Sequence, residues 1–205
     1  TMIEDAAALT GNAAPAFERR AVLVLCADNG VVAQGVSQTD ASVTRAVLEN
    51  LVACRTSVCR MAAAARCAVV PVDMGIAGAP VASAADYRIA PGTRDFTAGP
   101  AMTRAQAVQA IAAGLALVRE QKRAGVQLLA TGEMGIGNTT TSSAVASVLL
   151  GRPVAEMTGR GAGLSDAGLR RKIEVIERGI AVNRPDAADP LGVLAALGGF
   201  DIAGL

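Results

Sequence analysis

The chain has no histidine and no tryptophan, one tyrosine and three phenylalanines. Without histidine there is no Ser-His-Asp or Cys-His catalysis and no His-ligated metal site. Acid–base work falls to Asp, Glu, Lys, Tyr or Cys. Aromatics make up 2% of the residues against 52% for all hydrophobics. The core is therefore aliphatic and closely packed at Ala and Gly, and base-stacking platforms are disfavoured. The 19 basic and 18 acidic residues leave a formal charge of +1. That balance offers no bulk attraction to nucleic acid or to an anionic membrane. No apolar run approaches the about 20 residues needed to span a bilayer. Glu4 and Asp5 stand where a secretory leader would carry basic residues. The four cysteines, Cys26, Cys54, Cys59 and Cys67, form no CxxC pair and read as reduced, buried thiols. A cytoplasmic location is expected.

A length of 205 residues suits one domain, or one domain and a fragment of another. Three apolar runs read as buried parallel strands: Ala21–Ala27, Cys67–Asp73 and Val126–Glu133. Pro71 predicts that the second strand ends early or lies near an edge. Helical spacing of apolar residues covers Ala41–Ala65 and Thr103–Arg123 between the strands. It continues in Thr139–Leu150, Ser165–Val182 and Asp189–Leu197, and a further helix is expected to begin at Phe200. This alternation predicts an α/β domain with a parallel sheet. Met74–Met102, rich in Gly, Ala and Pro, reads as a long surface excursion of a kind that is often functional.

Ligands of open parallel sheets bind beyond the carboxyl ends of the strands. Each predicted strand ends there in an acid followed by glycine: Asp28 with Gly30, Asp73 with Gly75, Glu133 with Gly135. In "TGEMGIGNTTT" the glycines Gly132, Gly135 and Gly137 permit a sharp turn and close approach to a ligand. Asn138, Thr139 or Thr140 would cap the next helix, whose free N–H groups attract anions. On spacing alone this is either a phosphate seat or an ordinary strand–helix turn, since neither GxGxxG nor GK[ST] is present. Glu133 is either a partly desolvated general base or a structural carboxylate. In "GRGAGLSDAGLRRK" a second glycine-rich stretch precedes a helix capped by Ser165 or Asp166. Lys172 lies about two turns into that helix. By spacing, Arg170, Arg171 and Lys172 read more readily as a solvated basic face.

Six stretches, in order along the chain, carry a resemblance: "ADNGVVAQGVS", "PVDMGIAG", "AGPAMTRAQA", "GEMGIGNTT", "GRGAGL" and "DP…GGFDIA". Together they resemble the nicotinate-nucleotide–dimethylbenzimidazole phosphoribosyltransferase family, over nearly the whole chain. That family builds the lower nucleotide of cobamides such as cobalamin. It transfers the phosphoribosyl group of nicotinate mononucleotide to a base such as dimethylbenzimidazole. The resemblance implies a Rossmann-like parallel sheet with helices on both faces, a small helical domain formed from both termini, and a homodimer. It implies small-molecule substrates only, with no metal or other cofactor.

Carried over by motif, the nucleotide phosphate lies near Gly135, Gly137, Gly161, Gly163 and Lys172, and Glu133 lines the reaction centre. Asn138 and Thr139 fall in the same motif. Asp28, Asn29, Ser37, Thr39 and Asp73 fall in the strand-exit motifs expected to bind substrate.

Three departures stand out. Asn29 occupies a position where many members have His. Thr39 and Ala46 replace a Tyr and a Gln that touch the accepting base, which leaves the base open among dimethylbenzimidazole, purines and phenols. Neither the family's early "PPGSLG" stretch nor its downstream "GEGxGA" segment, with the principal catalytic glutamate, falls within these residues. On this reading residues 1–205 are the large domain with both flanks removed, the small helical domain is largely absent, and the piece by itself is inactive or poorly active. A non-catalytic mononucleotide- or base-binding domain is the alternative.

Overall fold

A computed structural model describes residues 1–205. Its centre is the strand β1 (Arg20–Ala27). Two strands flank it in parallel, β2 (Cys67–Gly75) and β4 (Leu128–Met134), with Arg20 level with Cys67 on one side and Leu128 on the other. A two-residue strand, β3 (Ala85–Asp86), pairs with Val72 and Asp73, which gives the order β3-β2-β1-β4.

The helices that cover the sheet follow from strand alternation. Leu23, Leu25 and Ala27 of β1 point to one face. There they pack with Ala107, Ala110 and Leu117 of α4 (Arg104–Arg123) and with Phe200 and Ala203 of α9 (Phe200–Gly204). Val24 and Cys26 point to the other face. They meet Leu48 and Leu51 of α2 (Ser42–Val52) and Cys59 of α3 (Ser57–Ala64). β1 and the carboxyl half of β2 are therefore covered on both faces, as apolar runs require, whereas β4, expected as a buried strand, is an edge strand that buries no residue. α4 and α9 come close enough that a Cβ at Gly114 would strike the Gly204 carbonyl.

Beyond the carboxyl ends of the strands lies a second, helical layer. α5 (Asn138–Leu149), α7 (Asp166–Asn183) and α8 (Pro190–Leu197) share a core of Ala144, Val175, Ile176, Ala196 and Leu197. α1 (Met2–Thr10) buries no residue, and α6 (Val154–Met157) is a single turn. No helix is long and apolar enough to cross a membrane.

The structure bears on four expectations. The helix expected over residues 41–65 is two helices, because Cys54 takes a left-handed conformation (φ 55) between them. Of the two outcomes expected at Pro71, the second holds: the strand runs on to Gly75 and lies near an edge. Its outer neighbour covers only Val72 and Asp73, so Pro71 sits on a stretch of β2 with no neighbour on that side and loses no bond there. Residues 74–102 do run largely over the surface, but they are tied down rather than free. Tyr87 and Ile89 bond to the carbonyls of Asp73 and Met74, and Phe96, Ala101 and Met102 are buried. The burial expected of the cysteines holds for Cys26 and Cys59 and not for the exposed Cys54 or the half-buried Cys67.

α4 starts with a capping box in which Thr103 accepts from the Gln106 N–H at 3.1 Å and Gln106 Oε1 accepts from the Thr103 N–H at 2.9 Å. Thr103→Ala is expected to cost about 1 kcal/mol in chemical denaturation.

Candidate active site

Where the sheet's carboxyl ends meet the helical layer, a cavity of about 270 Å³ opens between α5, α7 and the loop after β1. Its walls include Ser37, Gly135, Gly137, Asn138, Thr139, Gly161 and Lys172. Three chain segments far apart in sequence are thereby brought together.

The turn from β4 into α5 forms one wall. Gly137 is the N-cap of α5, with φ 90, and no side chain caps the helix there. This differs from the expected capping by Asn138, Thr139 or Thr140. Asn138 Oδ1 accepts from the next residue's N–H, and Thr140 Oγ1 is buried with no partner. Gly135 answers to crowding. A Cβ there would lie 2.5 Å from Asp201 Oδ2 and 2.8 Å from Asn29 Nδ2, and would also strike the Ala27 carbonyl. From the opposite side Thr44 Oγ1 accepts from the Ile136 N–H at 3.0 Å.

Lys172 corrects the sequence reading most. It is 1% exposed, not part of a solvated basic face. Its Nζ donates to Thr139 Oγ1 at 2.7 Å and to the Gly159 carbonyl at 3.2 Å, and it forms no ion pair. Burial lowers its pKa from the usual value. A buried ammonium without a carboxylate is a favourable seat for an incoming anion. Arg160, which sequence reasoning missed, also lines the cavity and pairs with the Asp166 carboxylate.

The other expected residues divide by position. Glu133 is half-buried at the end of β4, and its carboxylate accepts from Asn138 Nδ2. Gly163 lies between the lining residues Ala162 and Leu164 but does not itself line the cavity, and its carbonyl accepts from Gln38 Nε2. Asn29 is buried directly behind the Gly135 turn. Thr39 and Ala46 are exposed and do not reach the cavity. Neither do Asp28 and Asp73, whose carboxylates bind neighbouring loops. Asp28 accepts from the Ala77 N–H at 2.8 Å, and Asp73 from those of Gly75 and Ile76 at 3.0 Å. Burial raises the pKa of Asp28.

A parallel sheet with helices on both faces and a polar cavity at its strand carboxyl ends places this molecule in the doubly wound class of α/β proteins. The family is narrower. A family model described as "Phosphoribosyltransferase" matches residues 1–205, and the chain belongs to that family. It is 45% identical over 205 residues to the nicotinate-nucleotide–dimethylbenzimidazole phosphoribosyltransferase of Ruminiclostridium cellulolyticum, covering 100% of this chain and 58% of that protein. The protein of the same name from a Roseiflexus species is 48% identical over 202 residues, with coverage of 97% and 57%. Among solved structures, CobT from Thermus thermophilus superposes with a TM-score of 0.92 at 39% identity, covering 98% of this chain and 61% of that one. The chain thus spans about three fifths of the length of the relatives it matches.

Proposed function

We propose that the protein transfers the phosphoribosyl group of nicotinate mononucleotide to dimethylbenzimidazole or a related base, giving α-ribazole phosphate and nicotinate in cobalamin assembly. The observation that carries this reading is Lys172. It is a buried ammonium with no counter-ion, facing glycine-lined walls at the strand ends, in a chain 45% identical to a protein of that name. The nucleotide phosphate would sit among Gly135, Gly137, Gly161 and Lys172, with Gly163 between the lining residues Ala162 and Leu164.

The ribose C1′–nitrogen bond breaks with its electron pair going to the pyridinium nitrogen, so that nicotinate leaves with a neutral pyridine ring. The unprotonated azole nitrogen bonds to C1′ through its lone pair, and the proton on the other ring nitrogen passes to a carboxylate. Such a reaction needs positioning and a base, with no covalent intermediate. Glu133, at the end of β4 beside the cavity wall, is this chain's candidate for a carboxylate near the reaction centre. Residues 1–205 supply the α/β unit that holds the nucleotide, and the working enzyme is a cytoplasmic homodimer.

The decisive assay follows nicotinate release from nicotinate mononucleotide by the whole protein, with a panel of azoles and phenols as acceptors. No release with any acceptor would overturn the proposal. Binding of the mononucleotide without release would favour a non-catalytic nucleotide-binding domain. Glu133→Gln should lower turnover by at least about 10-fold. Unchanged turnover would reduce Glu133 to a loop carboxylate.

A further inference from the structure

Behind the cavity wall lies a buried pair that the proposed chemistry does not use. Asp201, at the start of α9, is 0% exposed, and Asn29, just after β1, is 1% exposed. Asn29 donates from Nδ2 to Asp201 Oδ2 at 3.2 Å and to the Ile136 carbonyl at 3.4 Å. The Ile136 carbonyl fixes which end of the carboxamide is nitrogen. Turned over, the Asn29 oxygen would face two other oxygens. Asn29 Oδ1 therefore points away from both, and there it is a buried acceptor with no partner. A Cβ at Gly199 would collide with Asn29 Oδ1 and with Asp201 Oδ1 alike, so the two oxygens border one small space. Two such oxygens repel unless a hydrogen lies between them. A buried acceptor left unpaired is costly.

We propose that Asp201 is the titratable positioning residue of the cavity wall: when it holds its proton it closes a two-bond carboxylic acid–carboxamide ring with Asn29, and that ring sets the Gly135–Gly137 turn. One hydrogen satisfies every atom of the pair. Asp201 Oδ1–H donates to Asn29 Oδ1 while the same oxygen accepts from the Ile202 N–H at 2.9 Å. Oδ2 accepts from Asn29 Nδ2. A carboxylate leaves Asn29 Oδ1 orphaned, and an amide at position 201 cannot both donate to Asn29 and accept from Ile202 through one atom.

The surroundings favour the proton. Burial pushes the Asp201 carboxyl up to about 6, and the charge of Glu133 on β4 adds to this. The groups facing it bring no cation. Cys26 on β1 is itself raised by burial and by Asp73, Asp201 and Glu133. Asp73 on β2 and Asp28 after β1 are acidic. α5 has no ionisable residue, and α4 meets α9 where Gly114 abuts Gly204. The turn rests on the pair itself, since a Cβ at Gly135 would meet Asp201 Oδ2 and Asn29 Nδ2, and one at Gly137 would lie 3.4 Å from Asn29 Cβ. Ionisation puts a second negative charge beside Glu133 and breaks half of the ring.

The test uses the intact chain and its Asp201→Asn and Asp201→Ala variants. Carbon-13 NMR of the Asp201 carboxyl should give a midpoint near 6, with the Asn29 side-chain amide resonances moving in the same titration. The folded state then keeps its proton to higher pH than the unfolded chain, whose carboxyl titrates near 3.8. This contribution to stability is present below pH 4 and is lost as pH rises through 6. The unfolding constant should therefore rise roughly fifty-fold more in wild type than in Asp201→Asn between pH 4 and pH 7. Amide exchange at Ile136 and Asn138, whose N–H groups bond to Thr44 Oγ1 and the Gly135 carbonyl, should, once corrected for intrinsic pH dependence, accelerate over the same range in wild type only. Asp201→Ala should show fast exchange at every pH. A midpoint below about 4.5 overturns the proposal, as does an Asp201→Asn variant with wild-type pH dependence. If neither variant folds, the wild-type titration still decides.

Discussion

Lys172→Met should leave the fold as stable as wild type or more so, while removing most of the affinity for a phosphate-bearing ligand. The two halves of this result have one cause. Lys172 Nζ is held by a hydroxyl and a carbonyl and by no carboxylate. Burying an ammonium costs several kcal/mol, and two neutral acceptors return only part of that. Methionine fills nearly the same volume without the charge. In titration calorimetry, the variant should bind nicotinate mononucleotide about 10- to 100-fold more weakly, the range expected for a desolvated charge-assisted contact. Nicotinate riboside, which lacks the phosphate, should bind both proteins alike. Lower stability with unchanged nucleotide affinity would make Lys172 a structural residue. The pH dependence has a definite sign. The folded pKa lies below the unfolded one, so the unfolded chain holds more protons between the two, and stability rises with pH there.

Gly135→Ala should be the most damaging single-methyl addition at the cavity, at about 3 kcal/mol in denaturant unfolding. The backbone conformation of Gly135 is open to any residue, since its φ is not positive. The cost is contact alone: the new methyl meets the Ala27 carbonyl, Asp201 Oδ2 and Asn29 Nδ2, none of them the free end of a flexible side chain. Relief requires the β4–α5 turn to move toward the cavity, so ligand affinity should fall as well. Gly137→Ala is a useful contrast, because there the left-handed backbone (φ 90) adds strain to a contact with Val32. A Gly135→Ala protein with wild-type stability would show that the turn can shift freely.

The sheet was legible because β1 and the start of β2 are continuous apolar runs between helical patterns, and strand exits in such folds gather ligands. The interruption at Cys54 was not legible, since a left-handed non-glycine residue leaves no mark on apolar spacing. The anchoring of residues 74–102 was hidden for a similar reason. That segment follows no period, and its buried side chains, among them Ile76, Val81 and Phe96, are scattered along it. Lys172 reads as a solvated cation beside Arg170 and Arg171, although a contrary signal exists. It shares the register of Val175, Ile176 and Gly179, the buried stripe of α7, and a cation in an apolar stripe is unlike one on a solvated face. The sharing of Asn29 with Asp201 could not be read at all. The two are 172 residues apart, and only the folded chain brings them together.

The central position of β1 has a consequence for how the protein is made. Its partner β2 begins at Cys67, but its other neighbour begins at Leu128, about a hundred residues after β1 has left the ribosome. For that interval one edge of the most apolar strand stands unpaired, and pairings so distant in sequence close slowly. The nascent chain thus passes through a period of exposure to aggregation that the finished protein does not show. Synonymous changes that slow translation between β2 and β4 should lengthen it and lower the soluble yield, with no change in the amino-acid sequence.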